Sequence, residues 1–342
     1  PILSKEGDFV ETPYKKGLAE SMRTLGMLKM YEGEYDQAML ACSVALDLAE
    51  DAGLQEVKPS AYNTIATVYR QLGDLSTSLE YFVKQQLASE QLGDRLDAAK
   101  ATVGIGVIYF DMEDYAKFLD SSEQSLAIFR ELDEKYWISL ALNNTSFALF
   151  KLGRQSEALQ RGQEGLEISR AINDPRGLRR ILTTLGEIHL DMGEAQKALE
   201  YFTDALAQVQ LTEEPDLAND ALMLVGQAYI RLQQPELARQ QLLDALKHAS
   251  RYKLRRNMYD CHRLLSETYK ESGDYSEALK HYELYHHIKE SVFSEENAQK
   301  LQNLEVLHRT QKALQEAEYF SKQYERSRQF NEQLESEVQK RT

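Results

Sequence analysis

The sequence predicts an all-α fold, a stack of about seven helical hairpins continued by a long C-terminal helix, on three observations. A turn signature returns every forty residues, at Gly33, Gly73, Glu113, Gly153, Gly193, Gln233 and Gly273, each between two apolar-periodic stretches. Small side chains keep the same register: Gly26, Ala66, Gly106, Ser146, Gly186, Gly226 and Ser266 seven residues before the turn, and Ala38, Ser78, Ala158, Ala198, Ala238 and Ala278 five after it. Small residues at fixed points on consecutive helices let their backbones approach, which a stacked hairpin requires. Finally, residues 294–342 contain neither Gly nor Pro and carry apolar residues at three- and four-residue intervals, which predicts one long helix.

Along the chain, residues 1–12 are expected to be a disordered N-terminal tail, 13–293 the seven-repeat solenoid and 294–342 a coiled-coil-like signalling helix. In each repeat a first helix of about 18 residues runs to the turn and a second of similar length follows. Gly53, Gly93, Asp133 and Asn173 recur in the opposite loops, and Thr12-Pro13, Asp174-Pro175 and Glu214-Pro215 place proline where a helix start has no amide partner to lose. The expected core on the first helices is Leu25, Ile65, Ile105, Leu185, Val225 and Leu265, with Leu28, Val68, Ile108 and Ile188 one turn on. On the second helices it is Leu46, Leu126, Leu166, Leu206 and Leu246. Two repeats depart from the pattern. In the third, Phe118 takes the small position and Ser122 the aromatic one, which moves bulk by one helical turn. In the fourth, Gly162 and Gly165 fall mid-helix, where either a neighbour packs very close or the stack bends.

Composition excludes several functions. With 55 acidic against 40 basic side chains among 342 residues, the formal charge is −15, which disfavours binding to nucleic acid. No stretch approaches the roughly 20 apolar residues that span a bilayer, and no signal peptide opens the chain, so neither membrane insertion nor secretion is expected. Cys42 and Cys261 lie in the first and last repeats, and two lone thiols fit a reducing, cytoplasmic setting. The absence of an initiating Met and the close at Arg341-Thr342 inside a helical pattern suggest a fragment of a longer protein. No catalytic constellation, phosphate loop, cofactor motif or metal-ligand spacing is found; His281, His286 and His287 do not place two imidazoles at i, i+4.

The run Leu185-Gly186-x-x-His189-x-x-x-Gly193-Glu194-x-x-x-Ala198-Leu199-x-x-Phe202, with Tyr69, Tyr109, Tyr229 and Tyr269 at the His189 position, resembles the tetratricopeptide repeat in its extended forty-residue form. That form is known from bacterial peptide-sensing regulators and eukaryotic polarity scaffolds. The resemblance implies a right-handed superhelix whose first helices line a concave surface for peptides or protein segments, and it implies no catalysis.

On those first helices the triplet i, i+4, i+7 should face the groove. It reads Asn63, Thr67, Arg70 in the second repeat, Val103, Val107, Phe110 in the third, Asn143, Phe147, Phe150 in the fourth, and Arg263, Glu267, Lys270 in the seventh. A central apolar stripe with polar flanks suits an amphipathic partner, unless the aromatics pack on one another instead. The family resemblance suggests that Asn63 and Asn143 clamp a peptide backbone. The basic clusters Arg176, Arg179, Arg180 and Lys247, Arg251, Lys253, Arg255, Arg256 read as solvated helix ends or as contacts for an acidic segment.

The tail carries a seam of Leu301, Leu304, Leu307, Leu314, Ala317, Phe320, Tyr324, Leu334 and Val338, interrupted near Gln311, Ser327 and Asn331, which suits weak parallel homodimerisation. Asn303 to Glu318 and Leu334 to Thr342 resemble segments leading into output domains of bacterial signalling proteins. The implied function is a non-catalytic regulatory sensor that reports on a peptide or protein segment to a C-terminal enzyme, foremost a GGDEF-type diguanylate cyclase or else a histidine kinase. The alternative is a free-standing scaffold or quorum-peptide receptor.

Overall fold

The computed structural model describes residues 11–209 and 214–341, with side chains for 15–209, 214–312 and scattered positions from 316 to 330. Most of the expected N-terminal tail, residues 1–10, lies outside the described residues. Those that are described form helical hairpins in chain order: α1 (Glu11–Tyr31) with α2 (Tyr35–Ala52), α3 (Lys58–Leu72) with α4 (Leu75–Gln91), and α5 (Arg95–Asp111) with α6 (Tyr115–Glu131). There follow α7 (Lys135–Lys151) with α8 (Gln155–Ala171), α9 (Pro175–Asp191) with α10 (Ala195–Val209), α11 (Pro215–Arg231) with α12 (Pro235–Tyr252), and α13 (Arg255–Glu271) with the first part of α14 (Tyr275–Arg341). The chain divides into two compact units: a central unit of residues 95–298, and a terminal unit of the residues up to 94 together with those from 299 onward.

The hairpin turn is one repeated backbone device. All seven turn positions have left-handed φ, from 55° at Gln233 and 58° at Glu113 to 87° at Gly73. Each closes its first helix with the same pair of hydrogen bonds, as where Gly73 N donates to Arg70 O at 3.0 Å and Asp74 N to Tyr69 O at 2.9 Å. Where Asp follows, it also caps the second helix, Asp74 Oδ1 accepting from Thr77 N at 3.0 Å and Asp114 Oδ1 from Lys117 N at 3.2 Å. Glu113 and Gln233 adopt this conformation without glycine's freedom, at a cost of roughly 1–2 kcal/mol each.

The small positions do the packing expected of them. A Cβ on Gly186 would lie 2.3 Å from Phe202 Cε1, and one on Gly226 would lie 2.8 Å from Leu242 Cδ2. Where serine stands instead, its hydroxyl donates across the hairpin, Ser146 to Ala158 O at 2.8 Å and Ser266 to Ala278 O at 2.9 Å. In the third repeat Phe118 and Ser122 are both buried, and Ser122 Oγ donates to Phe118 O at 2.7 Å, so the displaced bulk is accommodated. Of the two readings of Gly162 and Gly165, close packing holds: added Cβ atoms would meet Leu185 Cδ2 at 2.7 Å and Ile181 Cδ1 at 3.0 Å.

Ile65, Ile105, Leu185, Val225, Leu265, Val68, Ile108 and Ile188 are all buried, as are Leu126 and Leu166. Leu46, Leu206 and Leu246 are half-buried. Leu25 and Leu28 depart from the expected core, being 40% and 52% exposed. The reason is positional. Ile65 and Val68 of α3 pack on Ala38, Met39 and Cys42 of the preceding hairpin, and among the described residues no hairpin precedes α1. Each fully buried side chain of this size contributes roughly 1.5–3 kcal/mol. No described helix is long and apolar enough to cross a membrane.

Candidate binding groove

In the central unit the i, i+4, i+7 positions of the first helices separate into two regions. On α5 and α7 they are aromatic and close on themselves. Phe110 is 39% exposed, and its ring lies 5.6 Å from Phe147 and 5.5 Å from buried Phe118. Phe147 and Phe150 are half-buried against the cluster of Phe118, Leu119, Ala148, Leu149, Ala158 and Ile188, with Lys151 Nζ about 5 Å above both rings. Val103 is half-buried against Ala99, Leu126 and Ile138, and Val107 is half-buried as well.

On α9, α11 and α13 the same positions are mostly polar and leave open space. A cavity of about 910 Å³ is lined by Leu190, Gln227, Ile230, Arg263, Leu264 and Glu267, among others. A second of about 270 Å³ is lined by Arg179, Thr183, Glu187, Asp220, Met223 and Gln227, among others. Six of these residues, Thr183, Glu187, Leu190, Met223, Gln227 and Ile230, are the groove triplets of the fifth and sixth repeats, so extending the triplet rule to those repeats would have found them in the sequence.

Opposite charges meet around the smaller cavity. Arg179 and Arg180 are half-buried, and the Nε of each has no hydrogen-bond partner. Burial holds the Arg179 guanidinium below its usual pKa, reinforced by neighbouring Arg180 and opposed by Glu214 and Asp220. Burial likewise raises the Glu187 carboxyl, with Lys151 opposing. Asn257 Nδ2 donates to Asp220 Oδ1 at 2.6 Å. Arginine donors, carboxylate acceptors and side-chain amides set along three helices can bond the backbone and charged side chains of an extended chain. Arg179 thus lines the smaller cavity, with half-buried Arg180 beside it, and neither is a fully solvated helix end. The second basic cluster is different: Arg251 stacks on Tyr252, and Arg255 pairs with Glu295 and donates to Ser291 Oγ at 2.8 Å.

The two proposed asparagine clamps are engaged within the chain. Asn143 Oδ1 accepts from Thr184 Oγ1 at 3.0 Å, and in the terminal unit Asn63 Nδ2 donates to Gln85 Oε1 at 3.1 Å. Arg70 is half-buried in the last turn of α3. Of the tail seam, Leu301 and Leu304 are 65% and 58% exposed, while Leu307 packs against α2 and α3. The side chains of Leu314, Ala317, Phe320, Tyr324, Leu334 and Val338 lie outside the described residues.

The sequence matches the tetratricopeptide repeat family over residues 59–91, 97–171 and 177–251, together more than half of the chain. No curated protein matches it. Among solved structures it is similar to the apo form of RapI, at 15% identity and TM-score 0.65 over 81% of this chain and 99% of that one. Aspartyl phosphate phosphatase F from Bacillus subtilis gives 12% identity and TM-score 0.64, over 82% of this chain and 72% of the other. The Rap conjugation gene regulator of plasmid pLS20, in complex with the Phr* peptide, gives 14% and 0.57, over 85% and 80%. At these identities the likeness is one of fold.

Proposed function

The chain belongs to the tetratricopeptide-repeat family, and we propose that it is a non-catalytic regulator that binds an extended peptide or protein segment along α9, α11 and α13. The observation that carries this reading is the pair of cavities on those helices, lined in register by groove-facing triplet residues, with Arg179, whose Nε has no partner, lining the smaller one. The seven-repeat division at residue 293 and transmission to a C-terminal output enzyme, a GGDEF-type diguanylate cyclase or a histidine kinase, through a dimeric helix remain part of the proposal. A second reading, a quorum-peptide receptor acting without an output enzyme, draws support from the fold shared with a regulator captured with its Phr* peptide.

Selection of binders from a random linear-peptide library tests the reading. Selected peptides should lose at least tenfold in affinity for Arg179→Ala or Gln227→Ala and keep it for Phe147→Leu. Peptides indifferent to the first two substitutions would refute the assignment.

A further inference from the structure

In the terminal unit the last helix makes a contact that neither peptide binding nor dimerisation requires. Val306 and Leu307 of α14 pack, half-buried, on the cluster of Met39, Cys42, Ile65, Val68, Tyr69 and Leu72. Asn303 Nδ2, itself bonded through Oδ1 to Gln299, donates to the Gln71 carbonyl at 3.3 Å. Arg309 reaches Asp36 at 2.9 Å. Thr310 is 4% exposed, and its hydroxyl has no partner. Asn303, Val306, Leu307 and Thr310 stand at i, i+3, i+4 and i+7, a single helical face. Leu301 and Leu304 point elsewhere, 65% and 58% exposed.

We propose that the edge formed by α2 and α3 is a docking site for one face of an amphipathic helix, and that residues 299–310 occupy it as a releasable latch of the same chain. The latch does not depend on what the groove binds. The contact has the composition of a reversible one. It holds two half-buried aliphatic side chains, one hydrogen bond from a side-chain amide, an ion pair whose side chains are 67% and 41% exposed, and a buried hydroxyl left unsatisfied. Covalent connection supplies the effective concentration that keeps so small an interface closed, and the same face would accept a helix of like pattern in trans when the latch leaves.

The test uses the full chain with spin labels on Glu80→Cys and Gln302→Cys; native Cys42 and Cys261 are buried, with thiol pKa values pushed up to about 11 and about 12, and stay unlabelled. A single narrow distance is expected, giving way to a broad, longer distribution in Val306→Asp with Leu307→Asp. Thr310→Val, which removes the unsatisfied hydroxyl, should keep the narrow distance to higher denaturant. A fluorescent peptide of residues 297–316 should bind the double Asp variant at least tenfold more tightly than the unaltered chain. A distribution already broad in the unaltered chain, or unchanged by the double substitution, would overturn the latch. So would equal peptide affinities, or the short distance appearing between singly labelled copies mixed one to one.

Discussion

The groove face of α5 and α7 and that of α9, α11 and α13 share one backbone register and have opposite fates. Phe110, Phe147 and Phe150 are large enough to reach one another and Phe118, so they consume the space their helices would otherwise offer. Thr183, Glu187, Met223 and Gln227 cannot, and cavities remain between their helices. In this repeat the backbone positions a groove, and side-chain size decides whether it is filled from within. An apolar stripe in such a register marks packing at least as readily as it marks a partner's site.

The largest expected effect separates the two faces directly. Phe147→Ser should lower stability by about 2–4 kcal/mol, somewhat under the roughly 3–5 of a fully buried Phe because the ring is half-buried. Gln227→Ala should change it by less than about 0.5 kcal/mol. Thermal unfolding of the two variants gives the comparison, and equal losses would erase the distinction.

Titration sharpens it next, at the polar end. His262 and His281 lie with their Nδ1 atoms 2.8 Å apart, and Tyr269 stacks on His281. Burial, then the neighbouring imidazole, brings His262 down to about 4, and burial lowers His281 against the influence of Glu277. Because the unfolded imidazole takes its proton near 6.5, the folded state gains its full advantage above that pH and loses it as pH falls from about 6.5 to about 4, on the order of 2–3 kcal/mol. Glu187, Asp220 and Asp260, all raised by desolvation, act in the opposite sense. The informative quantity is therefore the difference in melting temperature between His262→Gln and the unaltered chain across that range. It should narrow toward pH 4, and a constant difference would contradict the assignment.

Glycine contacts come third. Gly186→Ala should cost about 1–3 kcal/mol through the clash with fully buried Phe202. Gly162→Ala should cost less, because Leu185 can yield at its methyl end. Denaturant midpoints would read both. The smallest effect tests the turns on both faces at once: Glu113→Gly and Gln233→Gly should each stabilise by about 0.5–1 kcal/mol, as glycine relieves the left-handed strain.

The turn register was legible in the sequence because a left-handed residue is needed at a fixed place whatever its identity; Glu113 and Gln233 kept the period where glycine was lost. The small positions were legible for the same steric reason. Leu25 and Leu28 depart from the expected core because a repeat pattern records what a residue packs on in an average repeat, and α1 has no preceding hairpin among the described residues. The cavities on α9, α11 and α13 are harder to read, because the polarity of a residue does not tell whether the space beside it stays open, and periodicity alone does not distinguish the intrachain neighbours on which Leu307 packs from a second copy.

Photo-crosslinking with a library-selected peptide carrying a benzophenone tests the central claim most directly. Adducts should map to α9, α11 and α13, among them Met223 and residues adjoining Gln227. Adducts concentrated on Phe110, Phe147 and Phe150 would mean that the aromatic face opens to receive the ligand, and would contradict the account.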